Sequence, residues 1–261
     1  SNCLPEWKKI SERYVNEGPP PKVSVVIPCY NYARYLPEAV SSVARQTFRD
    51  FEIVIVNDGS TDNTREVAEG LAHRYPELKI LVINQSNSGQ PAHSRNRGIA
   101  EARGEYVLPL DADDAIDPAM LEECVRTLDD NPHAAVAYPD QLHIRNGKAE
   151  YVGSQPWDPA RLKNTNLLPT ASMFRKRVWL EVGYYKDNVR GYEDWDFWLS
   201  IAEAGYSGIH IRKPLFIYRA NGTGLYQDAE KRDRELREQI IKNHPRLYGQ
   251  RENADLQGVK L

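Results

Sequence analysis

Long hydrophobic runs are missing from this 261-residue chain: the longest apolar stretch, VSVVIP, is far too short to cross a bilayer. The opening residues also lack the charged, then apolar, then small order of a secretory signal. The expectation is a soluble protein with no transmembrane segment, cytoplasmic or peripheral at the membrane. Cysteine is scarce, and Cys3, Cys29 and Cys124 stand far apart, which argues against a disulfide framework and a zinc cluster and fits a reducing compartment. No excess of positive charge exists either: 34 basic residues face 37 acidic ones for a net charge of −3, so nucleic acid is not expected as a partner. No repeat of fixed period appears, which excludes a solenoid. With 41% hydrophobic residues and only 16 Gly and 17 Pro, the chain has the composition of an ordinary folded core.

What is present is an alternation of two hydrophobic periods, as a sheet covered by helices requires. KVSVVIP, FEIVIV, KILVI and EYVLPL read as strands, the first two as buried parallel ones. Leu36, Val40, Val43 and Ala44 recur at helical spacing, DGSTDNT offers caps for a helix running to about Tyr75, and PAHSRNRGIAEARG reads as a helix closed by Gly104. From about Tyr138 the texture changes. Asn146-Gly147 predicts a hairpin, Leu167 to Arg175 a further strand, EDWDFWLSIAEAG a helix stopped by Gly205, and GIHI and PLFIYR two short strands. DAEKRDRELREQIIKNHP reads as one charged helix with a narrow apolar face, expected to pack on the body, to bridge to a further domain or to serve a homodimer. The expected organisation is a leader over 1–21, a main domain over 22–225 with halves at 22–138 and 139–225, and a helical tail over 226–261.

LPLDADDAIDP, at the end of the fourth strand, sets four aspartates among seven residues. In an open α/β sheet ligands sit beyond the carboxyl ends of the strands, so position favours a site here. In extended backbone Asp111 and Asp113 point to one side and Asp114 to the other, and the converging pair repel unless a cation intervenes. Oxygen donors without nearby His or Cys favour Mg²⁺ or Mn²⁺, shared with substrate phosphates. Asp117, before Pro118, is assigned to capping the next helix. The turns after the first two strands gather on the same edge: Pro28, Tyr30 and Asn31 suit a base, and Asp58 a pyrimidine imide or a ribose hydroxyl. For Ser60, Thr61 and Asp62 capping is the better reading. Arg95 and Arg97, two apart on a helix, cannot share a face. Arg95 is assigned to the diphosphate, and Gly89 and Ala112 complete the nucleotide-sugar set.

VSVVIPCYNYARYLPEAVSSVARQTFRDFEIVIVNDGSTDNT, NSGQPAHSRNRGIAEARGEYVLPLDADD and GYEDWDFWLSIAEAGY together resemble the family-2 glycosyltransferases of GT-A fold, over roughly Lys22 to Arg219. The resemblance implies a Rossmann-like, mostly parallel sheet flanked by helices, with a smaller mixed half on the acceptor side. It implies an inverting enzyme that takes sugar from a nucleotide-diphosphate donor, UDP by preference, to a glycan, lipid-linked or protein acceptor. Asp58 would then meet the nucleoside, Asp111 and Asp113 the metal, and Asp194 of YED would be the base, with Glu193 the runner-up. Trp195 and Trp198 read as core. Many relatives carry a histidine after YR as a further metal ligand; Asn221 stands near that place here. The Gln-x-x-Arg-Trp pattern of processive synthases is absent, so non-processive transfer is expected. Two alternatives stay open: an inactive nucleotide- or glycan-binding module, and a sugar nucleotidyltransferase.

Overall fold

A computed structural model describes residues 18–219 and 225–249. Four parallel strands form the first half of the sheet: β1 (Val23–Cys29), β2 (Phe51–Asp58), β3 (Lys79–Gln85) and β4 (Tyr106–Pro109), in spatial order β3-β2-β1-β4. The order reverses between β1 and β4, and such a switch point opens a crevice at the carboxyl ends of the strands. Beyond β4 the same sheet continues through β8 (Met173–Arg175), β6 (Ala134–Arg145), β9 (Ser207–Arg219) and the short β5 (Ala115–Ile116), while β7 (Lys148–Val152) pairs with β6. Of these pairings only β6 with β9 is parallel, so the second half is mixed.

The period of two in β1 sorts the core into two layers. Val23, Val25 and Ile27 face one cluster, which α1 (Leu36–Ala44), α2 (Thr64–Arg74) and α4 (Met120–Asp130) cover. Val26, Val54 and Val56 face the other, which α3 (Pro91–Glu101), α6 (Lys176–Val182), α7 (Glu193–Glu203) and α9 (Asp233–Asn243) cover. Each wholly buried Val or Ile contributes on the order of 1.5–3 kcal/mol, which is why the central strands contain little else. The short α5 (Pro159–Leu162) is capped by Asp158, and α8 (Leu225–Glu230) precedes α9. Trp195 and Trp198 are core, as their spacing implies.

Several local expectations change. Gly104 does not close α3, which ends at Glu101; a Cβ there would come within 2.6 Å of the Ser24 amide, so glycine is needed for close approach to β1. GIHI and PLFIYR are one strand, β9, because register shifts around Asp140 in β6 absorb Pro214 without ending the pairing. The strand read over Leu167 to Arg175 is only β8. The charged tail is two helices, α8 and α9, and α9 turns Leu236 and Ile240 into the second core. It grips the back of α7: Tyr192 donates to Asp233 at 2.7 Å, and wholly buried Asp196 meets His244 at 2.9 Å. Asp117 accepts from the Ala119 amide, but α4 begins at Met120, later than Pro118 suggests.

Candidate active site

The ends of β1, β2 and β4 meet at one edge, and their turns are tied to one another. Asn31 takes a left-handed conformation (φ 58°), and its side-chain oxygen accepts from the Thr61 amide at 2.7 Å and the Asp62 amide at 3.3 Å. Ser60 Oγ in turn accepts from the Asn31 amide at 2.9 Å. Asn31 therefore locks the β1 turn to the β2 turn, and Tyr30 beside it stands 46% exposed. Pro28 lies in β1 opposite Val56.

Asp58, at the end of β2, is 6% exposed and holds the loop before α3: its carboxylate accepts from the Ser88 amide at 2.9 Å, Ser88 Oγ at 2.8 Å and Gln85 Nε2 at 2.6 Å. The following Gly59 has φ 64°, and a Cβ on it would lie 2.4 Å from the Asn87 amide, so a side chain would push this loop away. Gly89 closes a turn on Asn87 Oδ1 within the same loop. Ser88 was not singled out by sequence reasoning, and a lone serine in a polar loop gave no signal for it.

The aspartate cluster is a turn, not extended backbone: the Asp114 amide donates to the Asp111 carbonyl at 3.1 Å. The Ala112 methyl lies in the first core and anchors the turn. Asp114 is buried to 3% exposure, accepts from the Arg219 amide at 2.8 Å, and is pushed well above the usual carboxylate range by burial and then by the charges of Asp111 and Asp113. Tyr32 nearby is pushed up to about 12 by burial and by the same two aspartates. Negative charge is therefore in excess here. The donors are all carboxylate oxygens, which suits a hard divalent ion that keeps most of its shell for water and phosphate. Among the described residues no group of three His, Cys, Asp or Glu is placed to hold a metal ion, and Asn221 lies outside them.

Arg95 joins this turn to α7. Its guanidinium, 9% exposed, donates to Asp111 Oδ1 at 2.8 Å and stands 4.0 Å from Glu193 Oε2. Arg97 faces elsewhere and pairs with Glu101 at 3.0 Å. Asp194 is half-buried and oriented at both oxygens: Oδ2 accepts from Thr170 Oγ1 at 3.0 Å and Asn166 Nδ2 at 3.1 Å, and Oδ1 from the Trp195 amide at 2.8 Å. Burial raises its pKa, and the positive charge of Arg95 opposes that rise. Glu193, 4% exposed, is raised by burial in the same way. Between the two, Asp194 is the one that an incoming group can reach.

Asn96 is a further residue that the sequence reading passed over. It is buried, its Nδ2 donates to the Tyr185 carbonyl at 2.7 Å, and its Oδ1 accepts from the Tyr185 amide and Trp179 Nε1 at 3.0 and 3.1 Å. It fastens α3 to the loop that leads into Glu193 and Asp194. A polar residue on the apolar stripe of α3, four after Ala92 and three before Ile99, was the available signal.

Known proteins resemble this chain in sequence and in fold. Residues 24–180 match the family model described as glycosyl transferase family 2. The uncharacterised glycosyltransferase YwdF of Bacillus subtilis is 33% identical over 80% of this chain and 78% of its own length. The hyaluronan synthase of Pasteurella multocida is 29% identical over 75% of this chain, which spans only 20% of that protein. Among solved structures, Staphylococcus aureus TarS 1-349 in complex with UDP-GlcNAc superposes with a TM-score of 0.70 at 24% identity, over 86% of this chain and 67% of that one. The mannosyltransferase PcManGT of Pyrobaculum calidifontis, in complex with GDP-Man and Mn²⁺, gives 0.65 at 21% identity, over 91% and 67%. The two structures share the GT-A fold with this protein, and on the family match and the relation to YwdF the chain belongs to glycosyl transferase family 2.

Proposed function

We propose that this glycosyltransferase is inverting and non-processive, moving a sugar from a nucleotide-diphosphate donor, by preference a UDP-sugar, to an acceptor hydroxyl with Asp194 as general base. The observation that carries the reading is the position of Arg95, whose guanidinium meets Asp111 of the strand-end turn and approaches Glu193, the neighbour of Asp194. Donor-side and acceptor-side carboxylates thus converge on one buried cation. A sugar placed between them would have its diphosphate on one side and a base on the other, as inversion requires.

In this scheme Asp194 takes the proton from the acceptor hydroxyl while that oxygen bonds to the anomeric carbon. The bond from that carbon to the diphosphate oxygen breaks, and its electron pair leaves with the nucleotide. No covalent enzyme intermediate forms. The raised pKa of Asp194 brings it closer to the hydroxyl it must deprotonate, and Thr170 and Asn166 keep it aimed. Glu193 is too enclosed to exchange protons with an acceptor and instead balances Arg95. Asp111 and Asp113 would hold Mg²⁺ or Mn²⁺, which supplies Lewis-acid neutralisation of the leaving diphosphate. The Mn²⁺ in the PcManGT complex supports that choice of ion, and the UDP-GlcNAc in the TarS complex supports the choice of nucleotide. On the donor edge, Tyr30 and Pro28 would flank the base. Asp58 would meet the nucleoside through the acceptor capacity left on Oδ2.

The test is release of UDP from UDP-sugars without added acceptor, with and without manganese. Slow, metal-dependent release is expected. Nucleotide binding with no release from any donor would make the protein a binding module instead.

A further inference from the structure

Resting on the transferase reading above, we propose that Tyr151 is a stacking platform for a sugar ring of an oligosaccharide acceptor, at a subsite remote from the reacting hydroxyl. Tyr151 is 59% exposed, one of three exposed large hydrophobics among the described residues, the others being Tyr30 and Leu180. Its hydroxyl is not free: it donates at 2.6 Å to Asp140, which is 1% exposed. Asp140 is held in turn by the Ser154 amide at 2.7 Å and His210 Nε2 at 2.6 Å, and His210 stacks on Tyr138 at 5.4 Å. Here the hydroxyl is fixed and the ring is presented.

The topology puts β7 beyond the same sheet edge from which the segment holding the candidate base rises. β7 and β8 both pair with the same edge of β6, β9 having the other, so β7 continues the line of β8 beyond the carboxyl edge of the sheet. Residues 166–172, which carry Asn166 and Thr170 to Asp194, rise from the start of β8 into the gap between them. Ala137 pairs with Met173 and Leu142 with Tyr151, a difference of five residues along β6, or roughly 16 Å at about 3.3 Å each. The face is also shared. Tyr138, under His210, belongs to the same core as Trp195 beside Asp194, and the Gln155 amide donates to the Leu167 carbonyl next to Asn166. The register shifts on both sides of Asp140 are the kind of bulge that re-aims a side chain next to a site.

The ligand class follows from the chemistry. An exposed phenol ring with its orientation already set offers a flat apolar surface at little entropic cost, and the C–H face of a pyranose is the complement. An offset of this order along β6 exceeds one sugar ring, so an acceptor that reaches both places is an oligosaccharide. Asp194 would take the terminal hydroxyl while Tyr151 carries a ring behind it.

The experiment is saturation-transfer NMR on the full chain with cellobiose, maltose, laminaribiose and chitobiose against glucose and N-acetylglucosamine. Wild type, Tyr151→Ala and Tyr151→Phe are compared, with melting temperatures as the check on folding. At least one disaccharide should bind wild type more tightly than its monosaccharide. Tyr151→Ala should weaken that binding about tenfold. Tyr151→Phe, which keeps the ring and loses the Asp140 bond, should fall between them, and it carries the test if the alanine variant does not fold. Failure of wild type to bind any of these saccharides, or equal binding by wild type and Tyr151→Ala, overturns the proposal. Tyr151-dependent binding without turnover of any donor would sustain the platform and sink the transferase reading; donor turnover with no effect of Tyr151 on binding would do the reverse.

Discussion

Arg175 and Arg95 have the same side-chain exposure, 9%, yet they lie at opposite edges of one sheet and are used in opposite ways. At the amino edge Arg175 donates to the carbonyls of Ala134 at 2.8 Å and Leu128 at 2.7 Å and to the Tyr106 hydroxyl at 3.3 Å, with only a looser ion pair to Glu105 at 3.7 Å. At the carboxyl edge Arg95 meets carboxylates, and its buried Nε has no partner among the described residues. Titration differs in the same sense. Asp129 at the amino edge lies below its ordinary value because, against the desolvation of burial, Tyr106 and Lys22 donate hydrogen bonds to it. Asp114, Glu193 and Asp194 at the carboxyl edge all lie above theirs, burial being the largest cause in each. Asp129 is charged with support from its neighbours, whereas Asp114, Glu193 and Asp194 are charged at a cost that a charged ligand can offset.

The largest effect should come from Asp194→Asn, which keeps the size and removes the proton acceptor. Transfer should fall by roughly 10²–10⁴-fold with donor affinity near that of wild type. Near-normal turnover of the folded fraction would erase the functional half of the contrast between the edges.

Next in size is Arg175→Met. It leaves buried carbonyls and the Tyr106 hydroxyl short of a donor, and should cost on the order of 2–4 kcal/mol in denaturant unfolding. Turnover per folded molecule should not change. Loss of turnover without loss of stability would mean that the amino edge is not the structural one.

The smallest effect is the pH dependence, where the two edges should have opposite signs. Asp129, lowered from 3.8, contributes stability above pH 3.8 that is lost as pH falls through its folded value. Its side chain is 45% exposed, so Asp129→Asn should cost about 1 kcal/mol or less near neutrality, and nothing at low pH. Asp194, raised from 3.8, contributes stability below pH 3.8 that is lost as pH rises through its folded value. Asp194→Asn should therefore lessen the loss of stability on going from pH 4 to neutrality. Melting curves from pH 3 to 8 would show it, and parallel curves for the two variants would break the comparison.

The first half of the sheet is legible in the sequence because its signals are local: dense β-branched strands ending in polar turns place Asp58 and Asp111 at one edge in any parallel arrangement. The partners of those residues were not legible. Ser88 and Asn96 act across the sheet edge; the apolar stripe of α3 marks Asn96 as a buried polar group, but nothing in the local sequence names its partners or those of Ser88. Gly104 after a helical pattern reads as a helix stop, whereas its role is close contact with β1. The sequence around Pro214 predicts two strands, and the shifts in β6 that admit one cannot be read from β9 itself. The break between α8 and α9 falls at Lys231-Arg232, where neither glycine nor proline marks it.

The most direct test of the site is a crystal structure with UDP and Mn²⁺ bound. The diphosphate should lie beside Asp111 and Asp113, with Tyr30 and Asp58 toward the nucleoside and Asp194 facing the space beyond the phosphates. A nucleotide lodged against the hairpin of β6 and β7, with Asp113 remote from phosphate, would contradict it.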